Sequence, residues 1–331
     1  MLGLQDDQGL ILEAEGLDLS FEKSTVSVKV LRGIDLIVQR GEVHALVGES
    51  GSGKTVTARV IMGLLPPTAS LNAGSIRLEG VDLLGLDEDE LRSIRGGEIA
   101  MIFQEPAKYL NPSLTVGEQI IEMLIVHEKL NRRLARERTR SLLGRVGLGS
   151  EDRVLKSYPH ELSGGMQQRA MIAMAISCDP CLLIADEPTT ALDVTIQRRI
   201  LELLLNVNGK RSMSILFISH DLGAVQEIAD TVSVIYAGKI VERIAATVLF
   251  TGNPTPPLHP YTLMLLASTP DPRRRGIPLQ AIPGQVPDVE NLPMGCAFHP
   301  RCPFAEERCR TIIPLLRQVG QDHLVACHLV E

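Results

Sequence analysis

Nowhere in the 331 residues does an apolar run approach the roughly 18 positions that a membrane-spanning helix needs, so any membrane role must come through partners. A basic segment leading into an apolar stretch is also missing from the start, MLGLQDDQGL, which carries two aspartates instead. That is not the pattern of a signal peptide, and a soluble, cytoplasmic chain is expected. There is no basic excess either: the formal charge is −7, which argues against a protein that coats nucleic acid, and no nucleic-acid partner is expected. Six cysteines in a chain of this length do not make a disulfide framework. Internal repeats and low-complexity tracts are absent. What is present is ordinary globular material, 44% hydrophobic and 22% charged, which excludes disordered and collagen-like classes. The length suggests roughly two domains.

Composition changes near Gly252. Of the 20 prolines, 13 lie between Pro254 and Pro314, and four of the six cysteines lie from Cys296 onward. Long regular elements are not expected there. The division is therefore residues 1–252 and 253–331. The first part reads as α/β, with strands expected at Val43–Val47, Ile99–Phe103, Leu182–Ala185 and Ile215–Ile218 and helical segments between them. A helical piece is expected within about residues 105–175. Its stretch Leu130–Val146 carries six arginines among spaced leucines, which reads as the solvated face of an amphipathic helix. Arg273–Arg275 reads as an exposed loop.

Two local patterns carry chemistry. Gly48, Glu49, Ser50, Gly51, Ser52, Gly53, Lys54 and Thr55 fit G-x-x-x-x-G-K-[ST], with an apolar strand before and a helix-compatible run, Val56–Leu64, after. Glycines let successive N–H groups curl toward phosphate oxygens, and the helix presents its positive end. Lys54 supplies a mobile charge for the β- and γ-phosphates, and Thr55 a hydroxyl for Mg²⁺. The second pattern is the run Cys181–Ala185 ending in Asp186 and Glu187. Asp186 is suited to the Mg²⁺ sphere, Glu187 to orienting or deprotonating the attacking water.

Leu162-Ser163-Gly164-Gly165-Met166-Gln167-Gln168 is not part of a generic phosphate-loop protein. It resembles the signature motif of ABC-type ATPases, and the rest of that family's set follows in order over about residues 10–250. Gln104 resembles the Q-loop glutamine, Thr190-Ala191-Leu192-Asp193 the D-loop, and His220 the switch histidine. Phe21 sits where the family stacks an aromatic on adenine. The resemblance implies a P-loop NTPase core of ABC type with a helical signature subdomain. It implies an ATP-binding set of Phe21, the loop Gly48–Thr55, Val56 and Gln104, with Mg²⁺ held by Thr55, Gln104 and Asp186. It further implies that Ser163, Gly164, Gly165 and Gln167 face the ATP of a partner chain, that Asp193 communicates across that interface, and that His220 acts with Glu187 in hydrolysis.

Gln104-Glu105-Pro106 with Leu110-Asn111-Pro112, the stretch Ala185–Gln197 and His259-Pro260-Tyr261-Thr262 narrow the resemblance to the dipeptide/oligopeptide importer ATPases. Tyr109 departs from the small residue expected there. That group implies two integral membrane permease subunits, a second ABC ATPase subunit, an extracytoplasmic solute-binding protein acting indirectly, and a peripheral place on the cytoplasmic face of the membrane. A cassette serving another solute such as nickel, or a soluble non-transport ABC ATPase, is the alternative; a single phosphate loop and no sustained heptads weigh against the latter.

Cys296, Cys302, Cys309 and Cys327 are separated by 5, 6 and 17 residues. A Cys₄ metal centre fits such a tail, and without C-x₂-C knuckles a [4Fe–4S] cluster is favoured over zinc, with reduced or disulfide-bonded cysteines the remaining possibility. Cys178 and Cys181 flank the start of a buried strand and read as core.

Overall fold

The computed structural model describes residues 9–23, 26–149, 151–190, 192–211, 213–251, 258–269 and 281–330. Ala191, Gly252 and Arg273–Arg275 lie outside them. The chain forms two compact units: residues 1–84 with 217–331, and residues 85–216.

In the first unit, Leu10–Lys23 and Val26–Gln39 form a long antiparallel hairpin, and Ala69–Leu78 pairs antiparallel with the first strand's other edge. Alternation explains it: Leu17, Leu19, Leu31, Ile34, Leu36 and Val38 are buried, with exposed or half-buried residues between them. A second sheet starts from Val43–Val47, buried at all five positions as a parallel strand covered on both faces must be. It pairs in parallel with Thr231–Tyr236, which pairs antiparallel with Lys239–Ala245. The tail strands His323–Val325 and Arg317–Gly320 extend the same sheet. Among the described residues the Pro-rich region thus contributes short elements only, the longest helix being Pro260–Ser268, of nine residues.

Glu242 anchors this tail. Its carboxylate, fully buried, lies 2.7 Å from His323 Nε2 and accepts the backbone N–H of His259 at 3.2 Å. His259 is itself buried, and its Nδ1 accepts the Tyr261 N–H at 3.0 Å, capping the helix. Burial pushes its pKa down to about 3. A histidine whose folded pKa lies below its unfolded value, about 6.5, costs no stability above that pH and destabilises the fold as the pH falls below it. We expect a loss of about 2 kcal/mol between pH 6.5 and pH 5. Thermal melts across that range check it: His259→Asn, which keeps a capping acceptor, should flatten the slope.

In the second unit, Ile99–Ile102 and Leu182–Asp186 pair in parallel, and every residue of both is buried. Helices Val116–Glu128, Arg132–Arg145, Glu151–Lys156 and Gly164–Ala175 follow in the stretch between these strands. Thr115 and Asn131 cap the first two by accepting the Glu118 and Leu134 N–H groups. The arginine-rich helix buries Ala135, Thr139, Leu142 and Leu143. Its outer face pairs Arg132 with Glu118, Arg138 with Asp179 and Arg140 with Asp152, as expected of a solvated face. The chain passes between the units within the strand Ser214–Ser219.

Candidate functional site

Strand Val43–Val47 delivers the chain into the glycine-rich loop, and helix Lys54–Ile61 begins where the motif ends, two residues earlier than the sequence suggests. The loop turns because Gly51 and Gly53 take φ of 79° and 111°. Gly48 is needed for a different reason: a Cβ there would stand 2.3 Å from the carbonyl oxygen of Ile235. Lys54, 5% exposed, donates to the carbonyls of Gly48 at 2.7 Å and Glu49 at 2.9 Å. Among the described residues, Ser52 Oγ is buried without a hydrogen-bond partner. An orphaned hydroxyl and a lysine turned back on its own loop suit an anion between them. Ser50 and Gly51 form the exposed tip, and Thr55 and Val56 are half-buried.

Glu49 is held from outside the motif. Its N–H donates to the hydroxyl of Tyr261 at 2.9 Å, and its carboxylate takes a two-pronged contact from Arg301 at 2.7 and 3.0 Å. Sequence reasoning missed both partners; Tyr261 lies within a motif noted for its resemblance, but no local signal points to the loop. Elsewhere in this unit, Phe21 is half-buried on strand Leu10–Lys23, opposite Val28 and Ala69. His220 is exposed directly after strand Ser214–Ser219, and Asp221 caps the next helix through the N–H groups of Gly223 and Ala224.

In the second unit Asp186 ends its strand only 2% exposed. Glu187 follows with φ of 46°, a left-handed conformation uncommon for such a residue. Gln104 Nε2 and Thr190 Oγ1 both donate to its Oε2, at 2.7 and 2.9 Å. Two of the residues singled out by sequence, Gln104 and Glu187, are thereby in contact across 83 positions. Ser163 stands at the N-terminus of helix Gly164–Ala175, whose preceding loop is braced by Gln167 Nε2 on the carbonyls of Pro159 and Leu162. Gly165 packs where a Cβ would meet Ile196 at 3.1 Å. Asp193, exposed, accepts the Ile196 N–H at the start of helix Val194–Arg211. Tyr109 lies flat on Phe103, ring centroids 3.9 Å apart, a contact no small residue could make. Cys178 is buried and Cys181 half-buried at the strand entrance.

The sequence model described as ABC transporter matches residues 31–190, and the one described as oligopeptide/dipeptide transporter, C-terminal region, matches residues 253–309. A peptide import ATP-binding protein of Brucella ovis is 49% identical, over 96% of each chain. The oligopeptide transport ATP-binding protein AppD of Bacillus subtilis is 48% identical, over 97% of each. The chain belongs to the ATP-binding subunits of the oligopeptide and dipeptide ABC transporters. The fold agrees: the dimeric ATP-binding cassette MJ0796, in a post-hydrolysis state with ADP and Pi, superposes with a TM-score of 0.66 at 26% identity, covering 71% of this chain and 99% of that one. Membership of this family makes the protein an ABC-type ATPase.

One expectation, the metal centre of the tail, is left without support. The four tail cysteines, with His299 and His328, do line one cavity, but its free space is about 10 Å³, at the threshold for a single water. Among the described residues no group of three or more Cys, His, Asp or Glu is arranged to hold a metal ion. Neither a [4Fe–4S] cluster nor zinc is supported by this arrangement. Burial raises the thiol pKa of Cys296 and Cys302, and that of Cys327 to about 11. All six cysteines are free thiols.

Proposed function

We propose that this chain is the ATP-hydrolysing subunit of a peptide importer, built as an ATPase cassette over residues 1–252 and a transporter-type C-terminal region over 253–331. The observation that carries this is the phosphate loop with Lys54 folded onto its own carbonyls and Ser52 Oγ, among the described residues, without a partner. In this reading Gly48–Thr55 and Val56 take the triphosphate, Phe21 the adenine, and Lys54 leaves the Gly48 and Glu49 carbonyls for phosphate oxygens. Thr55, Gln104 and Asp186 offer hydroxyl, amide and carboxylate oxygens, a hard donor set suited to Mg²⁺. The metal, when bound, neutralises charge on the phosphates. Glu187 accepts a proton from the attacking water, with Gln104 and Thr190 aiming its carboxylate, and His220 holds the γ-phosphate side. Ser163, Gly164, Gly165 and Gln167 present a helix N-terminus to the ATP of a partner cassette, and Asp193 contacts that partner.

The partners in this reading are two membrane permeases, a second ATPase subunit and, indirectly, an extracytoplasmic solute-binding protein, with the chain peripheral on the cytoplasmic face. This is supported by its relatives' names and by the lack, among the described residues, of a helix long and apolar enough to cross a membrane. Purification of tagged Glu187→Gln protein with ATP from native membranes tests it. Two multi-span permeases and a second ATPase should co-purify; ribosomes or DNA-repair factors instead would move the ATPase to a soluble role.

A further inference from the structure

A residue of the phosphate loop whose side chain the motif does not specify is tightly restrained. Glu49 is held at three groups: its N–H by the Tyr261 hydroxyl, its carboxylate by the Arg301 fork, and its carbonyl by Lys54. The two outer holds come from the region after residue 252. Arg301 is 7% exposed and is fixed in turn by the Pro283 carbonyl at 2.8 Å, with its guanidinium 5.9 Å from the Tyr236 ring centre and 6.0 Å from that of Phe298. Tyr236, Tyr261 and Phe298 are each no more than 1% exposed and form one ring cluster, with centroids 4.6 to 5.3 Å apart. Tyr236 follows Ile235, whose carbonyl closes on Gly48.

We propose that Arg301 and Tyr261 are positioning residues for the phosphate loop, through which the C-terminal region sets nucleotide affinity. Two physical effects follow from the geometry. A carboxylate on a polyphosphate-binding loop repels its ligand, and Arg301 neutralises it with a planar, paired contact that lysine cannot reproduce. The Tyr261 hydroxyl occupies the Glu49 N–H, so the peptide keeps its orientation when Lys54 turns to phosphate. The inference rests on reading Gly48–Thr55 as the nucleotide loop.

The test is ATP titration calorimetry on the full chain carrying Glu187→Gln, so that ATP persists. Arg301→Ala should weaken ATP binding about tenfold, Arg301→Lys should recover it only in part, and Tyr261→Phe should weaken it about threefold to tenfold. Glu49→Gln combined with Arg301→Ala should bind ATP more tightly than Arg301→Ala alone, because the uncompensated charge is gone. A merely structural arginine would not give that recovery. ATP affinity within twofold of the parent in both Arg301→Lys and Tyr261→Phe, or a double variant no better than Arg301→Ala, overturns the proposal. Lys54→Ala runs alongside: unchanged binding there would sink the loop reading itself, whereas its loss with unchanged Arg301 and Tyr261 variants sinks only this inference.

Discussion

Glu187→Gln should lower steady-state ATP hydrolysis by at least about a hundredfold while leaving ATP binding intact, since general-base assistance contributes about 10² to 10⁴ in rate. The geometry makes this an isosteric test. Gln104 and Thr190 both donate to Oε2 of Glu187. A glutamine places its amide oxygen there and keeps both contacts, so the left-handed backbone at this position need not change. What it loses is the capacity to take a proton. Binding persists without turnover, so the protein should accumulate as an ATP-bound dimer, seen as a doubling of mass by light scattering when ATP is added. Hydrolysis at the parent rate in Glu187→Gln would remove Glu187 from the chemistry.

Lys54→Ala should act one step earlier, on nucleotide binding. The ammonium group lies within the loop, donating to the carbonyls of Gly48 and Glu49, and is almost wholly buried. Its removal deletes the mobile charge meant for the phosphates and leaves two loop carbonyls without that donor. Charge-assisted contacts contribute about 1.5 to 3 kcal/mol each, so ATP affinity should fall by about a hundredfold or more. Calorimetry reads this directly, and it separates the two variants: Glu187→Gln binds and does not turn over, whereas Lys54→Ala does not bind at working concentrations. Affinity within threefold of the parent in Lys54→Ala would contradict the assigned role of the loop.

Much of the cassette was legible because its requirements are local. The phosphate loop needs a strand, positive-φ glycines and a helix start at fixed spacing, and the structure has them at Val43–Val47, Gly51 and Gly53, and Lys54. The four expected strands are present within a residue or so of their expected ends, since each is a short, fully buried run. The signature serine stands at a helix start, as its Ser-Gly-Gly pattern suggests. The long hairpin Leu10–Gln39 went unread, although its alternating apolar residues carry the signal; Gly16, at a register shift, breaks the period.

The tail shows the other side. Its cysteine spacing suggested a metal centre, but spacing cannot report how the side chains are arranged: Cys296, Cys302, Cys309 and Cys327 line one small cavity, and among the described residues no group is arranged to hold a metal ion. Nor could it reveal Glu242 beneath His323 and His259, or Arg301 on Glu49 across 252 positions. By itself, then, the sequence determined the family, the glycine-rich loop and the acidic strand end, because these depend on backbone geometry among neighbours. The tertiary structure alone decided what holds Glu49, what contacts Glu187 and which residues gather around the tail thiols, because those depend on side chains that only folding brings together.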